Sequence, residues 1–508
     1  MSLVLPRVAG PARRGDVLLT AGIAGLAIAY SAAILLSGDA LLLVPLLGAV
    51  VVVAIAARPL VGVYLLFGIA ILLEQFVILG LQPITVGTHV YQNLSAYTEI
   101  PLRLSIVDLL LLLTAIAWAA HVVTGRSPRP RAGPFGGAVA GYGMVFVLGT
   151  AIGAARGGAW DLDATLAELR GPVQLCATYF LAANLIRGRA DLRILVYELV
   201  VLVGVKGLQG TLNFLDSFGV AYNLEAVTGH EDVIFFDLTI ALAAAALILR
   251  VRSKLAFAVL ALQPVIIGAE VLTERRVGFV ALGVVLLIVP LLAFRTEPRR
   301  ALAFAAVGAV AAVAYIAVFW DSAGPLGEPI RAVRSVVDNS SSLSRRDQMS
   351  DDWRVKENAN IAFTIQQLPL TGVGLGQEYL LERNPPPLPP AFTYWRYITH
   401  NALLWLWLKA GPIGALALWF LVARVVAVGS ASAAGIRDLE LRWFAFLPVC
   451  LIAIQIVFSA VELGLSYSRT MIVLGGALGM TCAIVGLAGF STAPRGGAPV
   501  GAGSTREG

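Results

Sequence analysis

The chain has 508 residues, of which 58% are hydrophobic, and its mean hydropathy is +0.83. Charged residues make up 13%, against roughly 25% in a typical soluble domain. A compact soluble core cannot cover this much apolar surface, which excludes a soluble globular protein and predicts an integral membrane protein. Cys176, Cys450 and Cys482 all lie in apolar runs, so the sequence predicts neither a disulfide framework nor a metal cluster.

Fourteen apolar segments are candidates for membrane-spanning helices. Helices are required because lipid offers no hydrogen-bond partner to exposed backbone groups. The first segment has the length of a span, about 20 residues, rather than that of a cleavable signal peptide. The segments run approximately over 17–36, 40–57, 60–82, 104–123, 136–155, 171–187, 194–215, 234–250, 255–273, 277–294, 301–320, 401–424, 443–463 and 469–490.

The distribution of basic residues predicts the orientation of this bundle. With the N-terminus in the cytoplasm, 21 of the 37 Lys and Arg residues fall on cytoplasmic connections or tails. The short outer connections and outer helix ends then hold six: Arg103, Arg156, Arg170, Arg275, Arg276 and Arg469. Since cytoplasmic loops carry the excess of positive charge, we expect both termini in the cytoplasm of a multi-pass inner-membrane protein.

The segment 321–400 is predicted to be one large extracytoplasmic loop. It carries acidic and basic residues in nearly equal number, so it is not a nucleic-acid-binding patch. Residues 339–342 are polar, and 384–390 (NPPPLPP) favour an extended polyproline conformation. We expect five regions: N-terminal helices 1–168, central helices with outer arginines 169–320, the loop 321–400, C-terminal helices 401–490 and a disordered tail 491–508.

The outer arginines are the first candidates for binding. Arg170, Arg275 and Arg276 lie at the outer mouths of predicted helices, where the topology rule disfavours positive charge. One interpretation is an anion site for a lipid-linked phosphate or diphosphate, because guanidinium forms bidentate bonds with phosphate oxygens. The alternative is that these side chains extend toward headgroups or pair with neighbouring carboxylates.

Ionisable residues inside predicted spans form a second group. Each costs about 2.5–3.5 kcal/mol at mid-helix for Asp or Lys. Lys206, Gln209 and Asn213 share one helical face, which we expect to line a polar cavity or contact another helix. Such residues occur in transporters and as interhelical hydrogen-bond partners alike. The remaining members are Glu74, Glu198, Asp237 and Glu270.

Two further patterns are candidates for chemistry. His400 lies where the large loop re-enters the membrane, and a neutral imidazole there could accept a proton from an acceptor hydroxyl. An interfacial histidine can equally be structural. Asp161 and Asp163 spell the DxD pattern of some metal-dependent glycosyltransferases, but a three-residue pattern recurs by chance, and we assign no metal.

The loop and the helix that follows it resemble the signature of the O-antigen ligase/polymerase superfamily. The similar segments are WRVKENANIAFTIQQLPLTGVGLGQEY and THNALLWLWLKAGPIG. Members of that family show an arginine on an amphipathic helix, a Pro-x-x-Gly-x-Gly-x-Gly turn, and His-Asn opening a helix that ends near Gly-x-x-Gly. The matching positions are Arg354, Pro369, Gly372, Gly374, Gly376, His400, Asn401, Gly411 and Gly414. Upstream, TERRVGFVALGVVLL and ELRGPVQLCATYFLAANLI resemble two arginine-opened helices of the family, pointing to Arg275 or Arg276 and to Arg170.

The resemblance implies an all-α bundle similar to the GT-C glycosyltransferases, without metal or other cofactor. It implies transfer of a glycan from an undecaprenyl-phosphate-type lipid to a glycan, lipid or protein acceptor at the outer face of the cytoplasmic membrane. Arg170, Arg275, Arg276 and Arg354 would then bind the donor diphosphate, and His400 would be the general base. Should His400 not be the base, Asp161, Asp163 and Glu168 are the next candidates.

A transporter of a lipid-linked sugar or small anion is the alternative function. Transport requires a polar path through the bilayer, whereas transfer requires polar residues concentrated at the outer end of the bundle. The sequence has the second pattern, and we therefore favour the enzyme. Which sugar and which acceptor are used, and whether the reaction is ligation or polymerisation, do not follow from the sequence.

Overall fold

The computed structural model describes residues 43–74, 88–217, 227–322, 324–337, 345–386 and 393–489. Within these ranges the chain is α-helical, with short 3₁₀ turns at Leu94–Ala96 and Pro325–Gly327. The helices are α1 Leu43–Ala57, α2 Leu60–Leu72, α3 Ile106–Val123, α4 Gly136–Arg156, α5 Leu162–Leu185, α6 Arg189–Ser217, α7 Asp232–Leu249, α8 Lys254–Ala261, α9 Gln263–Leu272, α10 Arg276–Phe294, α11 Pro298–Phe319, α12 Glu328–Val337, α13 Arg345–Gln367, α14 Ala402–Gly435, α15 Leu439–Phe444, α16 Phe446–Ser459 and α17 Ser468–Leu487. Two compact units divide the chain: Met1–Arg58, which contains α1, and Pro59–Gly508, which contains all the other helices.

Where the predicted spans fall on described residues they are helical, apart from short breaks and frayed ends. The predicted span 255–273 is two helices, α8 and α9, and the span 443–463 is likewise divided into α15 and α16. Among the described residues, nine segments are long and apolar enough to cross a membrane. The total of fourteen stays a prediction, because the segment 17–36 lies outside the described ranges. The polar stretch 339–342, most of the proline-rich segment 384–390 and the tail 491–508 lie outside them as well.

Helix α7 lies at the centre of the larger unit, with 94% of its span buried by other parts of the protein. Close approach of its neighbours depends on small residues, as is usual between membrane helices. On α17, a side chain at Gly475 would collide with the carbonyl of Leu175 in α5, and one at Gly479 with Ala182. Helices α5 and α17 therefore pack almost backbone to backbone.

The glycine-rich segment after α13 inserts into a break in α14. Gly411 has a φ of 66° and interrupts that helix, which leaves carbonyls of its first half without intrahelical partners. The N–H of Val373 donates to the Leu408 carbonyl at 2.7 Å, and that of Gly374 donates to the Lys409 carbonyl at 3.1 Å. The loop thus completes the hydrogen bonding that the helix break leaves open.

The same segment also binds α4 and α5. The N–H of Leu375 donates to the Gly149 carbonyl of α4 at 2.9 Å, and the N–H of Gly376 donates to the Glu168 carboxylate of α5 at 2.6 Å. Gly374 has a φ of 91°, and a side chain there would collide with the backbone of Gly153. We call residues 369–377 the glycine clasp, since they fasten the large loop to three helices.

Replacing Gly374 with Ala should destabilise the protein. The left-handed backbone alone costs an L-residue about 1–2 kcal/mol, and the collision with Gly153 adds to this. The matched control is Gly268→Ala in α9, where a side chain would meet nothing within 4 Å. Thermal unfolding in detergent should show a lower midpoint for Gly374→Ala than for the control. Equal midpoints would contradict the clasp.

Candidate active site

One face of α13 lies against the re-entry of the large loop into the bundle. Trp353, Glu357, Asn360 and Thr364 are all buried, and their spacing of four, three and four residues places them on one face of the helix. Asn360 and Thr364 hydrogen-bond the backbone of 380–383. This face therefore binds residues 380–383 of the large loop to α13.

Glu357 orients His400. A carboxylate oxygen of Glu357 accepts from the backbone N–H of His400 at 3.1 Å and lies 3.2 Å from Nδ1 of the ring. An ionised carboxylate only accepts hydrogen bonds, so Nδ1 carries the proton and the Nε2 lone pair is available. The edge-on ring of Trp353, 5.0 Å away, fixes the other side of the imidazole. The His400 side chain keeps 22% of its surface exposed, whereas Glu357 keeps 1%.

The surroundings of His400 raise its pKa above the ordinary value. Burial alone would lower the pKa, but the hydrogen bond and charge of Glu357, together with the charge of Glu462, outweigh it. A general base must be neutral to act, so a raised pKa places the acid limb of any activity that depends on His400 at higher pH.

Two of the predicted arginines form ion pairs that involve α13. Arg354 of α13 donates to Glu462 at 2.7 Å, and Arg276 of α10 forms a bidentate pair with Asp351 at 2.9 and 3.0 Å. Asp351 is also 3.7 Å from Arg354. These contacts join α13 to α10 and to the turn between α16 and α17.

Glu462 is the common neighbour of these groups. Burial raises the pKa of its carboxyl, but the charges of Arg354, His230, His400 and Arg275 together lower it below the ordinary value. Arg354 thus contacts this carboxylate directly, and Arg275 and His400 act on it through their charges. Arg354 belongs to α13, and Arg275 immediately precedes α10.

Arg170 is held by a different set of partners. Its Nε donates to Asp108 at 3.1 Å, and its Nη2 donates to the side chain of Asn93. Asp108 also completes the N-terminal capping box of α3 with Ser105. In this structure Arg170 thus joins α5 to the start of α3 and to residues 91–93, and its phosphate-binding role stays a prediction.

The carboxylates considered as replacements for His400 each have a structural partner. Glu168 is fully buried, 2.8 Å from Lys409 Nζ. Asp161 accepts from Ala164 N–H at 2.9 Å as the N-cap of α5, and Asp163 lies 3.1 Å from Arg103. Gly372, Gly374 and Gly376, which the sequence predicts as a turn, all have positive φ and form the glycine clasp.

A buried charge network lies beside the cluster. Arg469 donates to Asp232 at 2.5 Å and to the carbonyl of Ile71 at 3.0 Å, and Lys206 pairs with Glu74 and lies 3.5 Å from Asp232. Lys206, expected to line a cavity or contact another helix, thus connects α6 to α7 and to Glu74, two residues after the end of α2. Asn213, on the same face, donates to the Val227 carbonyl at 3.0 Å.

Sequence reasoning assigned no role to Glu357 or Glu462. A signal for Glu357 is present, because it follows Trp353 by four residues and Arg354 by three on a helix, which places all three on neighbouring faces. Glu462 ends the apolar run 443–463, where an acidic residue is costly without a partner. Its partners come from positions more than 60 residues away, which no local pattern indicates.

Removing the Glu357 charge should lower the pKa of His400. In Glu357→Gln, burial still lowers the pKa while the main opposing charge is gone. The chain has four histidines, so NMR titration of histidine-labelled protein in detergent can follow each imidazole, with His400→Ala giving the assignment. We expect a His400 pKa above about 6.5 in the wild type and a lower value in the variant, with His121 unchanged. An unchanged His400 pKa would contradict the orienting role.

Comparison with protein-family models matches residues 258–419 to the family described as O-antigen ligase. The matched segment contains Arg275, Arg276, Arg354, the glycine clasp and His400, whereas Arg170 and Glu462 lie outside it. Comparison with curated proteins gave no match. The helical bundle with apolar spans is consistent with a multi-pass membrane protein. Residues 258–419 thus match the O-antigen ligase family, and the resemblance of this chain to the O-antigen ligase/polymerase superfamily is confirmed.

Proposed function

We propose that the protein is a metal-independent glycosyltransferase. It moves a glycan from a polyprenyl-(di)phosphate-linked donor to an acceptor hydroxyl at the outer face of the cytoplasmic membrane, in the manner of an O-antigen ligase or polymerase. The family match supports glycan transfer as the reaction class. The observation that carries the proposal is the pairing of His400 with buried Glu357 beside the arginines around Glu462.

The base in this reaction is His400. Glu357 keeps the proton on Nδ1, so Nε2 takes the proton of the acceptor hydroxyl as its oxygen attacks the anomeric carbon of the donor. Glu357 also stabilises the imidazolium that forms, because the carboxylate lies 3.2 Å from Nδ1. The pairing of His400 with Glu357 supports the role of general base, because it fixes the orientation of the ring and the position of its proton.

The arginines stabilise the leaving group. As the bond from the anomeric carbon to phosphate oxygen breaks, negative charge grows on the diphosphate, and preorganised positive charge lowers the barrier. Arg354 and Arg275 are best suited to this role because both act on Glu462, next to His400. Arg276 forms a bidentate pair with Asp351, whereas the charge of Arg275 acts on Glu462, so we assign the diphosphate to Arg275 rather than to Arg276.

The proposed orientation places this cluster on the outer side. The basic residues of the predicted cytoplasmic connections support that assignment, as does the requirement of the chemistry for access to a lipid-linked donor. Both termini would then be cytoplasmic. The donor chain would lie in the surrounding membrane lipid while its diphosphate reaches the start of α10 and the first half of α13.

The transporter alternative is less well supported. Ionisable residues of α7 lie in its first turns, at Asp232 and Asp237, and from Ile240 to Leu249 its side chains are entirely apolar. Because α7 is the most buried span, this half offers no polar lining for a substrate at the centre of the bundle. Ionisable residues concentrated at one end of the bundle favour a reaction at that end over transport of a substrate through the bundle.

Replacing His400 with Ala should abolish transfer. General bases contribute about 10²–10⁴-fold to rate, and we expect a loss of that size with donor binding largely retained. The assay uses purified protein in liposomes with a lipid-linked glycan donor and an acceptor, and measures joined product and substrate crossing separately. His121→Ala, in the last turn of α3, is the matched control and should remain active.

Two outcomes of this assay would count against the proposal. A wild-type protein that moves substrate across the bilayer and joins nothing would contradict the transferase. A fully active His400→Ala would retain the transferase but remove the assigned base.

Replacing Arg275 with Lys should weaken donor use although the charge is kept. Lysine cannot reproduce a bidentate bond to phosphate, and a lost charged hydrogen bond costs about 1.5–3 kcal/mol. We therefore expect a drop of about 10- to 150-fold in kcat/KM for the donor. Arg103→Lys, an exposed arginine paired with Asp163, is the control. Full activity in Arg275→Lys would refute recognition by the guanidinium fork.

A further inference from the structure

An apolar groove of about 430 Å³ lies between α10, α14 and α16. Its volume falls within the range of about 300–1,000 Å³ that is usual for small-molecule sites. On α16 the groove is lined by buried residues, among them Val449 and Ile452. On α10 and α14 it has exposed rims, because Leu291 and Val426 keep 70% and 42% of their surface. The groove is therefore open between these two helices.

The two polar residues of the groove lie at the same end of it. Arg295 directly follows α10, and Ser430 lies in the last two turns of α14. Both helices begin next to the proposed active site, so this end is the one farther from His400. The other lining residues among those that the structure describes are apolar, as far as Val284 and Val457 at the opposite end. This polarity is complementary to an amphiphile with one polar group and a long apolar chain.

The length of the groove corresponds to one leaflet of a bilayer. Eleven residues separate Val284 from Arg295 along α10, a rise of about 16 Å. The hydrocarbon core of a bilayer is about 30 Å thick, so the groove covers about half of it. A donor lipid with its diphosphate at Arg275 would have its polar group beyond the apolar end of this groove. A lipid of the opposite leaflet has the polar group and the chain in the required order.

The polar end of the groove carries positive charge. Arg295 is exposed, and within the described part of the chain it makes no hydrogen bond or ion pair. Residues 295–300 contain three arginines and one glutamate, and that glutamate, Glu297, pairs with Arg300 at 2.9 Å. Guanidinium binds phosphate oxygens bidentately, and basic pockets between membrane helices bind anionic headgroups on the cytoplasmic side. The excess of positive charge favours a headgroup that has no cation of its own.

We propose that the groove binds one anionic phospholipid of the leaflet farther from His400, which is the cytoplasmic leaflet in the proposed orientation. One acyl chain lies against α16, between α10 and α14, and the phosphate binds Arg295. The inference goes beyond the proposed glycosyltransferase function and does not depend on it. Because the lipid binds the folded bundle, it raises the stability of the protein by mass action.

The first test measures lipid affinity by native mass spectrometry of the full chain in detergent. The protein is titrated with phosphatidylglycerol or with phosphatidylcholine of the same acyl chains. The wild type should bind phosphatidylglycerol more tightly, and Arg295→Gln should weaken that binding by about 10-fold or more, since a charged hydrogen bond is lost. The matched control is Arg299→Gln, which removes a charge from the same exposed connection but does not line the groove. It should bind as the wild type does.

The second test fills the groove. Ala453→Phe places a ring among the lining residues of α16, whereas Ala309→Phe adds the same ring on an exposed position of α11. Phosphatidylglycerol should raise the unfolding midpoint of the wild type and of Ala309→Phe more than that of Ala453→Phe. The unfolding curve without lipid identifies a variant that has lost its fold, in which case Arg295→Gln still decides.

Three results would overturn the inference. Equal affinity of the wild type for the two phospholipids, or binding of neither, would mean that the groove has another occupant, such as a second copy of the chain. Equal weakening by Arg295→Gln and Arg299→Gln would reduce the effect to attraction by surface charge. Displacement of phosphatidylglycerol by a polyprenyl diphosphate, one for one, would assign the groove to the donor chain instead.

Discussion

The contact between Arg354 and Glu462 is the interaction on which the proposed site depends. It joins α13, in the large loop, to the turn between α16 and α17 across 108 residues of sequence. Glu462 is nearly buried, and an ionised carboxylate in that position needs positive charge around it. Arg275, His230 and His400 act on the same group. Charges from four separate parts of the chain thus act on one carboxylate.

Rigid supports on both sides keep this cluster in place. On one side, the glycine clasp closes the break in α14 and binds Glu168, which in turn pairs with Lys409, so the start of α14 and His400 are fixed relative to α4 and α5. On the other side, Arg469 and Lys206 bind the carboxylates at the start of α7. Sites that hold reacting groups within a fraction of an ångström rely on such supporting contacts.

The sequence predicts the helices well and the pairing of side chains poorly. Apolar runs define spans such as Ile106–Val123 and Arg276–Phe294 within a few residues, since hydrophobicity and length are local properties. Hydropathy alone predicts one continuous span over 401–424, although the family motif has a helix end near Gly411, where the structure breaks α14. The division between α8 and α9 is not predicted, because it depends on how neighbouring segments pack. His400, Arg354 and the glycines were found through the family resemblance, whose motif is continuous in sequence.

The partners of those residues could not be found in the same way. Glu357 lies within the quoted motif, but its contact with His400 depends on how α13 is docked. Glu462 lies beyond the motif, and its role is visible only once the turn after α16 is placed beside α13. Arg170 illustrates the converse: its outer-end position suggested phosphate binding, while Asp108 and Asn93 occupy its guanidinium in the fold. An arginine's position along a helix does not identify its partner.

The central claim is that the donor diphosphate binds at the cluster around Glu462. The most direct test is an experimental structure of the full chain in lipid with a polyprenyl diphosphate bound. The account predicts diphosphate density within hydrogen-bond distance of Arg275 and Arg354, on the same side as Nε2 of His400. Diphosphate density beside Arg170 and Asp108, away from His400, would contradict it.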